Sequence, residues 1–239
     1  MSFDTLLVAN RGEIAVRIIR TAKRMGLRTV AVYSDADLGS AHVALADEAV
    51  RIGPAPAAES YLRIDRILEA AAATGAGAIH PGYGFLSENA EFARACEAAG
   101  IVFVGPSPEH LDVFGAKHTA REAAERADVP LLAGTGLLDD VEHALAEAER
   151  IGYPVMLKAT AGGGGIGMRA CRDAAELAGA WDDVRRLAGA SFSSAGVFLE
   201  RLVEHARHVE VQVFGTGDGT VVTLGDRDCS LQRRNQKVV

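Results

Sequence analysis

The 239-residue sequence predicts an α/β protein, with a doubly wound domain over residues 1–112 followed by a second α+β domain over residues 113–239. Two observations predict this class. In the first domain, short apolar runs alternate with helical patterns, which is typical of a parallel sheet with helices on both faces. In the second, four consecutive glycines lie between an apolar segment that ends in Lys158 and a short segment, Met168–Cys171, that could pair back on it. Such a spacing predicts two strands joined by a glycine loop.

The first domain opens with a predicted βαβ unit, which implies parallel strands and a right-handed crossover. Its strands cover Leu6–Ala9 and Thr29–Tyr33, and the helix between them covers Ile14–Met25 and ends at Gly26. The further predicted elements are a helix over Tyr61–Thr74, a strand over Ala78–His80, a helix over Glu88–Gly100 capped by Ser87, and a strand over Ile101–Val104.

The second domain has a less regular pattern. Its predicted helices cover Thr119–Ala127, Val141–Ile151 and Asp173–Leu187. One predicted strand ends at Lys158. Four more cover Met168–Cys171, Val197–Leu202, His208–Phe214 and Val221–Gly225, and a turn at Gly217–Gly219 joins the last two. His208–Phe214 alternates strictly, which places three valines on one face and His208, Glu210 and Gln212 on the other.

Composition excludes several classes of protein. A net charge of −7 and a pI near 5.5 argue against a general nucleic-acid or anionic-membrane binder. Three scattered cysteines, Cys96, Cys171 and Cys229, support neither a disulfide framework nor a structural zinc site. The N-terminus shows no basic region followed by an apolar stretch, and no apolar run approaches membrane-spanning length. We therefore expect a cytoplasmic protein with no nucleic-acid or membrane partner.

The glycine run Gly162–Gly165, with Gly167 close behind and Lys158 just before it, is the main candidate for a binding site. Bare backbone N–H groups beside a lysine are suited to an anion, which indicates a nucleotide phosphate site. The alternative is a flexible hairpin tip or a linker. The run lies between two strands and does not open a helix, so it differs from both common phosphate loops.

Two more segments carry polar groups with alternative interpretations. His208 and Glu210 share a strand face, where they could orient a nucleotide or accept a proton, or simply form the solvated face of a hairpin. Asp226–Lys237 holds four cationic residues and two acids. It could bind bicarbonate or phosphate, or be an ordinary surface loop.

Together these segments resemble the N-terminal part of the biotin carboxylases, the biotin-dependent branch of the ATP-grasp superfamily. The similarity extends from end to end. The motifs that carry it are ANRGEIAVRIIR at 9–20, ADEAVRIGPAP at 46–56, HPGYGFLSEN at 80–89, GPSPE at 105–109, the helix start at Lys117, YPVMLKATAGGGGIGM at 153–168, RHVEVQVFG at 207–215 and RDCSLQRRNQK at 227–237.

The resemblance implies an incomplete ATP-grasp domain with a glycine flap at 159–168 and specific roles for its residues. Two lysines would contact ATP phosphates, Glu200 would accept from the adenine amino group, and the backbone of 201–203 would form the hinge. The implied ATP-binding residues are Lys117, Lys158, Gly162, Gly163, Gly164, Gly165, Gly167, Met168, Glu200, Arg201, Leu202, Val203, His208 and Asn235. Catalytic, bicarbonate-side roles fall to Glu210, Gln232 and Lys237, and Tyr83 and Gly84 would lie near biotin.

The implied reaction is that of a ligase using ATP, Mg²⁺ or Mn²⁺, and biotin on a carrier domain. ATP activates bicarbonate as carboxyphosphate, and this intermediate or the carbon dioxide released from it carboxylates N1′ of biotin. A carboxyltransferase would be the further partner, and the full-length protein would be a homodimer. The family's metal-binding carboxylates lie beyond Val239, so no metal ligand is expected here. We expect an N-terminal fragment that binds nucleotide weakly and does not turn over.

At two positions the sequence departs from the common biotin carboxylase pattern, and these positions bear on which branch of the family it resembles. Ile166 stands where many biotin carboxylases have Arg or Lys, and Asn235 where some have His. An aliphatic residue at this position of the flap is usual in the urea carboxylase (urea amidolyase) branch, and the segments 114–122 and 134–140 also resemble that branch. The alternatives are the biotin carboxylase part of an acyl-CoA or pyruvate carboxylase. From other classes, the alternatives are another ATP-grasp ligase, an NAD-dependent oxidoreductase and a non-catalytic fragment.

Overall fold

The computed structural model describes residues 3–160, 167–191, 196–233 and 236–237, without the side chains of 188–191, 233 and 236–237. The chain divides into two compact units, Met1–Gly115 and Ala116–Val239. No helix in the described ranges is both long and apolar enough to cross a membrane.

The first unit is built on a parallel five-stranded sheet of order β3-β2-β1-β4-β5. Its strands are β1 (Thr5–Val8), β2 (Arg28–Ser34), β3 (Glu48–Gly53), β4 (Ala78–His80) and β5 (Val102–Phe103). Its helices are α1 (Gly12–Arg24), α2 (Ala41–Leu45), α3 (Ile64–Thr74), α4 (Ala90–Ala98) and α5 (Pro108–Gly115).

Alternate residues of the central strands enter two different cores in this unit. Leu7 and Ile79 pack with residues of α3 and α4, whereas Leu6 and Ala78 pack with residues of α1. Both faces of the sheet are therefore covered, as a parallel sheet requires. The predicted doubly wound α/β class is confirmed.

Some predicted elements of the first unit differ from the structure. The strand β3 was not predicted, because its EAVRIG sequence has no apolar run. Asn89, not Ser87, caps α4, since its side chain accepts from the Phe92 N–H at 2.8 Å. The Ser87 N–H instead donates to the Gly84 carbonyl in the preceding turn. The helix predicted from Tyr61 begins at Ile64, because Tyr61 is buried with its hydroxyl on Asp37.

The second unit holds an antiparallel sheet of order β7-β6-β8, formed by β6 (Val155–Ala159), β7 (Met168–Cys171) and β8 (Val197–Arg201). Its helices are α6 (Lys117–Arg126), α7 (Val141–Ile151) and α8 (Ala174–Ser191). One face of β6, with Val155 and Leu157, is buried in a core shared with α7 and α8. The other face presents Met156 and Lys158.

The remaining strands form two small hairpins. β9 (Val209–Gly215) pairs with β10 (Val221–Asp228), and β11 (Gln232–Arg233) pairs with β12 (Gln236–Lys237). β10 continues three residues beyond the predicted return strand. On β9 the polar residues Glu210 and Gln212 are half-buried while the valines are exposed, the reverse of an ordinary hairpin.

The exposed valine face predicts self-association of the chain. Val211 and Val213 are 52% and 65% exposed, and exposed apolar strands are sites of non-specific pairing. We expect the double variant Val211→Thr/Val213→Thr, which keeps β-branched side chains, to lower the weight-average mass measured by sedimentation at high protein concentration. The control is Val129→Thr, at a similarly exposed valine outside the hairpin. Equal masses for the double variant and the parent chain would assign self-association to another surface.

Candidate functional site

Lys158 and Glu200 form an ion pair on the open face of the β6-β8 sheet. Lys158 lies opposite Phe198, and Met156 lies opposite Glu200, so the two charged residues are diagonal neighbours on one face. The Lys158 ammonium donates to Glu200 Oε2. Their side chains are 23% and 20% exposed, so the pair is partly shielded from water.

Helix α6 brings two more cations to this face. Lys117 and Arg121 are one helical turn apart on α6. The Arg121 guanidinium lies 3.4 Å from Glu200 Oε1 and donates to the Leu132 carbonyl at 2.6 Å. Burial first, and then the charge of Lys158, lower the pKa of Lys117, while Glu200 opposes the shift. Lys158 and Arg121 thus share the Glu200 carboxylate, and Lys117 lies close enough to feel the charges of both Lys158 and Glu200. A face that gathers these cations is suited to an anionic ligand.

The ends of the glycine flap are held by the sheet. The Ala159 N–H donates to the Gly167 carbonyl at 2.8 Å, and the Thr160 N–H donates to the Gly196 carbonyl at 2.9 Å. Gly167 has φ +74°, and a Cβ there would lie 3.0 Å from that of Ala159, so the position requires glycine. Met168 lies opposite Lys158. Gly162–Gly165 and Ile166 lie outside the described residues.

The predicted hinge, residues 201–203, begins at the last residue of β8. The Arg201 N–H donates to the Ala133 carbonyl at 2.7 Å, and the Leu202 N–H donates to the Pro154 carbonyl at 3.0 Å. For the Val203 N–H the described part of the chain offers no acceptor. Val203 is therefore the hinge residue whose backbone donor remains for a ligand.

His208 and Gln232 form a second polar group. The Gln232 amide contacts His208 Nδ1 at 3.1 Å, and the His208 backbone bonds to Ser230 Oγ and to the Cys229 N–H. Lys237 lies opposite Gln232 in the β11-β12 pair. Asn235 lies outside the described residues.

Glu210 has different partners from its neighbour His208. An Arg227 guanidinium lies 3.0 Å from Glu210 Oε1, and the Gln212 amide donates to the same oxygen at 3.1 Å. In this unit the structure thus brings His208 to Gln232, Glu210 to Arg227 and Gln212, and Lys158 to Glu200.

In the first unit, Tyr83 and Gly84 line a cavity of about 440 Å³ together with Asn10, Glu13 and their neighbours. The cavity lies where β1 and β4 end, at the point of a doubly wound sheet where ligands commonly bind. The Asn10 amide donates to the carbonyls of Pro81 and Tyr83 at 2.7 and 2.8 Å. The Tyr83 hydroxyl bonds to Glu13, which raises the pKa of Tyr83.

The described residues do not fit a metal site. Among them, no three His, Cys, Asp or Glu side chains lie close enough together to hold an ion.

Sequence reasoning missed two residues of these sites, Arg121 and Asn10. Arg121 follows Lys117 by four residues, so a helical reading places both on one face of α6. Its contact with Glu200, however, spans 79 positions of sequence. Asn10 follows the first strand directly, in the region where parallel strands present ligand-binding groups.

Comparison with known proteins matches the two parts of the chain to two domain families. Residues 2–111 match the family described as "Biotin carboxylase, N-terminal domain", and residues 116–239 match "Carbamoyl-phosphate synthase L chain, ATP binding domain". Among curated proteins, the urea amidolyase of Lachancea kluyveri is 55% identical over 99% of this chain and 13% of its own length. The biotin carboxylase of Halalkalibacterium halodurans is 55% identical over 99% of this chain and 53% of its own.

A solved structure has the same fold. The biotin carboxylase domain dimer of Hydrogenobacter thermophilus 2-oxoglutarate carboxylase, in complex with MgADP, ADP and bicarbonate, is 48% identical and superposes with a TM-score of 0.94. The match covers 99% of this chain and 52% of that one. This chain thus spans about half the length of a biotin carboxylase and a small part of a urea amidolyase. The chain belongs to the biotin carboxylase family: residues 2–111 match the N-terminal domain of that family, and residues 116–239 match an ATP-binding domain.

Proposed function

We propose that the chain is the nucleotide-binding part of a biotin carboxylase, which carboxylates carrier-bound biotin with ATP and bicarbonate. The observation that carries the proposal is the cationic face formed by Lys117, Arg121 and Lys158 beside the flap, in which Lys158 and Arg121 share the Glu200 carboxylate. Lysines beside a glycine segment are suited to neutralise a triphosphate, and a carboxylate is suited to accept from the adenine amino group.

The proposed reaction has two steps. A bicarbonate oxygen attacks the γ-phosphorus of ATP, the bond to the β-phosphate oxygen breaks, and ADP leaves with the bond electrons. Biotin N1′ then attacks the carboxyl carbon of carboxyphosphate, or carbon dioxide released from it; phosphate departs, and the N1′ proton passes to a base. Positioning and charge stabilisation contribute most of the rate in such transfers.

We propose specific roles for the residues of the second unit. Lys117 and Lys158 would contact phosphates under the flap formed by Gly162–Gly167. Glu200 and the free Val203 N–H would bind the two hydrogen-bonding sides of adenine, next to Met168. His208, Gln232 and Asn235 would lie along the nucleotide, and Glu210 and Lys237 would face bicarbonate.

The remaining roles involve the first unit and other partners. Tyr83 and Gly84, in the cavity at the ends of β1 and β4, would approach biotin on its carrier domain. A carboxyltransferase and a second copy of the biotin carboxylase would be the further partners of the whole protein, and Mg²⁺ would reach the site with the nucleotide.

Replacement of Lys158 by methionine tests this proposal. Methionine keeps the aliphatic stem and removes the charge, so ATP affinity should fall roughly tenfold to a hundredfold through loss of charge-assisted hydrogen bonds. Calorimetric titration of the chain with MgATP measures the change. Lys23→Met is the control, because Lys23 pairs with Asp47 in the first unit. Equal ATP affinity in Lys158→Met and the parent chain would be incompatible with the proposed site.

For the final acceptor we propose urea. Ile166 in the flap and the segments 114–122 and 134–140 favour the urea carboxylase branch over the acyl-CoA and pyruvate carboxylases. The similarity of this chain to a urea amidolyase is compatible with that choice. In the assembled enzyme, urea should increase bicarbonate-dependent ATP cleavage, and propionyl-CoA and pyruvate should not. Stimulation of ATP cleavage by an acyl-CoA or by pyruvate, in place of urea, would contradict the assignment of urea as the acceptor.

A further inference from the structure

Glu200 is shared between two cations, and each contacts a different carboxylate oxygen. Lys158 donates to Oε2, whereas Arg121 lies 3.4 Å from Oε1. The side chains of Glu200 and Arg121 are only 20% and 12% exposed. A carboxylate this far removed from water is costly to leave without a counter-charge.

Arg121 is the more firmly held of the two cations. Its Nη2 donates to the Leu132 carbonyl at 2.6 Å, and its Nε lies 3.4 Å from the Glu125 carboxylate one turn along α6. A planar guanidinium with several fixed donors holds a carboxylate in one orientation better than an ammonium does. Lys158, on a flexible stem, makes a single contact with Glu200.

These contacts have a consequence when a nucleotide binds, under the function proposed above. The Lys158 ammonium is then attracted to the phosphates, which weakens its hold on Glu200 Oε2. Arg121 keeps its contact with Oε1, because its other donors fix it to the protein. Glu200 therefore retains a counter-charge and a fixed orientation, and Oε2 becomes the oxygen that accepts from the base.

We propose that Arg121 is a positioning residue for nucleotide selection: it holds Glu200 so that Oε2 accepts from the 6-amino group of adenine and rejects a 6-oxo purine. The proposal rests on the proposed ATP site and adds a specificity role to it. A 6-oxo group has no proton to donate to Oε2. For such a base to bind, Glu200 must turn away, and Arg121 opposes that movement.

The test compares binding of MgATP, MgITP and inorganic tripolyphosphate to the chain and to its Arg121 variants by calorimetric titration. ITP differs from ATP in carrying a 6-oxo group, and tripolyphosphate carries no base. In Arg121→Met the preference for ATP over ITP should narrow roughly tenfold, the factor that one well-oriented hydrogen bond to a charged group supplies. Tripolyphosphate binding should not change.

Arg150→Met is the matched control. Arg150 donates to the Gly134 carbonyl at 3.3 Å and pairs with Glu147, so it holds the same connecting segment as Arg121 but does not contact Glu200. The control variant should keep the parent preference for ATP. If Arg121→Met does not fold, as judged by its thermal unfolding, Arg121→Lys decides, with an intermediate preference expected.

Three results would overturn the proposal, and they can be told apart. An unchanged ATP-to-ITP ratio in a folded Arg121 variant would refute positioning by Arg121 and leave the proposed ATP site intact. An equal loss in Arg150→Met would reduce Arg121 to an anchor of the connecting segment. A parent chain that binds ATP no better than tripolyphosphate would refute the adenine site itself, and with it the proposed function.

Discussion

Leu157→Ala is expected to lower the free energy of unfolding of the second unit by about 3–4 kcal/mol, as other deletions of fully buried leucines do. Leu157 has no exposed surface and lies at the centre of β6, with β7 on one side and β8 on the other. It packs in the core that contains residues of α7 and α8. The cavity would form directly beneath the strand that carries Lys158.

Urea denaturation followed by tryptophan fluorescence measures this effect. Trp181 is the single tryptophan of the sequence and is buried in the same core. Leu187→Ala on α8 is the control, since that side chain is 46% exposed and its loss should change stability by well under 1 kcal/mol. A fall of less than about 1 kcal/mol for Leu157→Ala would mean that the core closes around the missing side chain.

Asp37→Ala is expected to destabilise the first unit by about 2–4 kcal/mol, because it removes the acceptor of a buried network. The Asp37 carboxylate accepts from Ser34 Oγ and Tyr61 Oη, each at 2.8 Å, and from the Arg11 guanidinium at 2.7 Å. Its side chain is 4% exposed. In the alanine variant, the buried hydroxyls of Ser34 and Tyr61 would lose their shared acceptor, and Arg11, which is half exposed, would lose its ion-pair partner.

The same network predicts the pH dependence of stability. Burial alone would raise the pKa of Asp37, but the hydrogen bonds from Ser34, Tyr61 and Arg11 hold the pKa below its ordinary value of 3.8. The stabilisation is therefore fully present above about pH 4 and is lost as the pH falls through the lower folded-state pKa. The parent chain should lose stability in this acid range more steeply than the variant.

Hydrogen exchange of the β2 amides, measured between pH 3 and pH 7 with correction for intrinsic rates, checks both expectations. The control is Asp65→Ala, because Asp65 is half exposed and forms its ion pair with the neighbouring Arg63 on the surface. If Asp65→Ala and Asp37→Ala accelerate exchange equally, the buried network has no special role.

Local patterns in the sequence were sufficient to predict most of the fold. The helix over Val141–Ile151 and the strand over Ala78–His80 have the predicted bounds, because apolar periodicity and a flanking cap or turn agree there. β3 has a mixed sequence at an edge of the sheet, where tertiary pairing with β2 determines the conformation.

The candidate site could be predicted only in part. Lys158 was identified from the glycines that follow it, and Glu200 from its similarity to the family motif. The role of Arg121 depends on a contact between α6 and β8, and no local pattern encodes that contact. The same limit applies to Glu210, whose ion pair with Arg227 depends on the register of the β9-β10 hairpin.

The tethered ends of the flap bear on how the protein can evolve. Backbone hydrogen bonds join Ala159 to Gly167 and Thr160 to Gly196. The sheet therefore already fixes the distance that residues 161–166 must span. Closing a longer segment between fixed ends costs little, about 0.6 kcal/mol for each doubling of its length. Insertions and substitutions at 161–166 should therefore leave folding almost unchanged. Selection would then act on this segment through the ligand that it binds and hardly through folding.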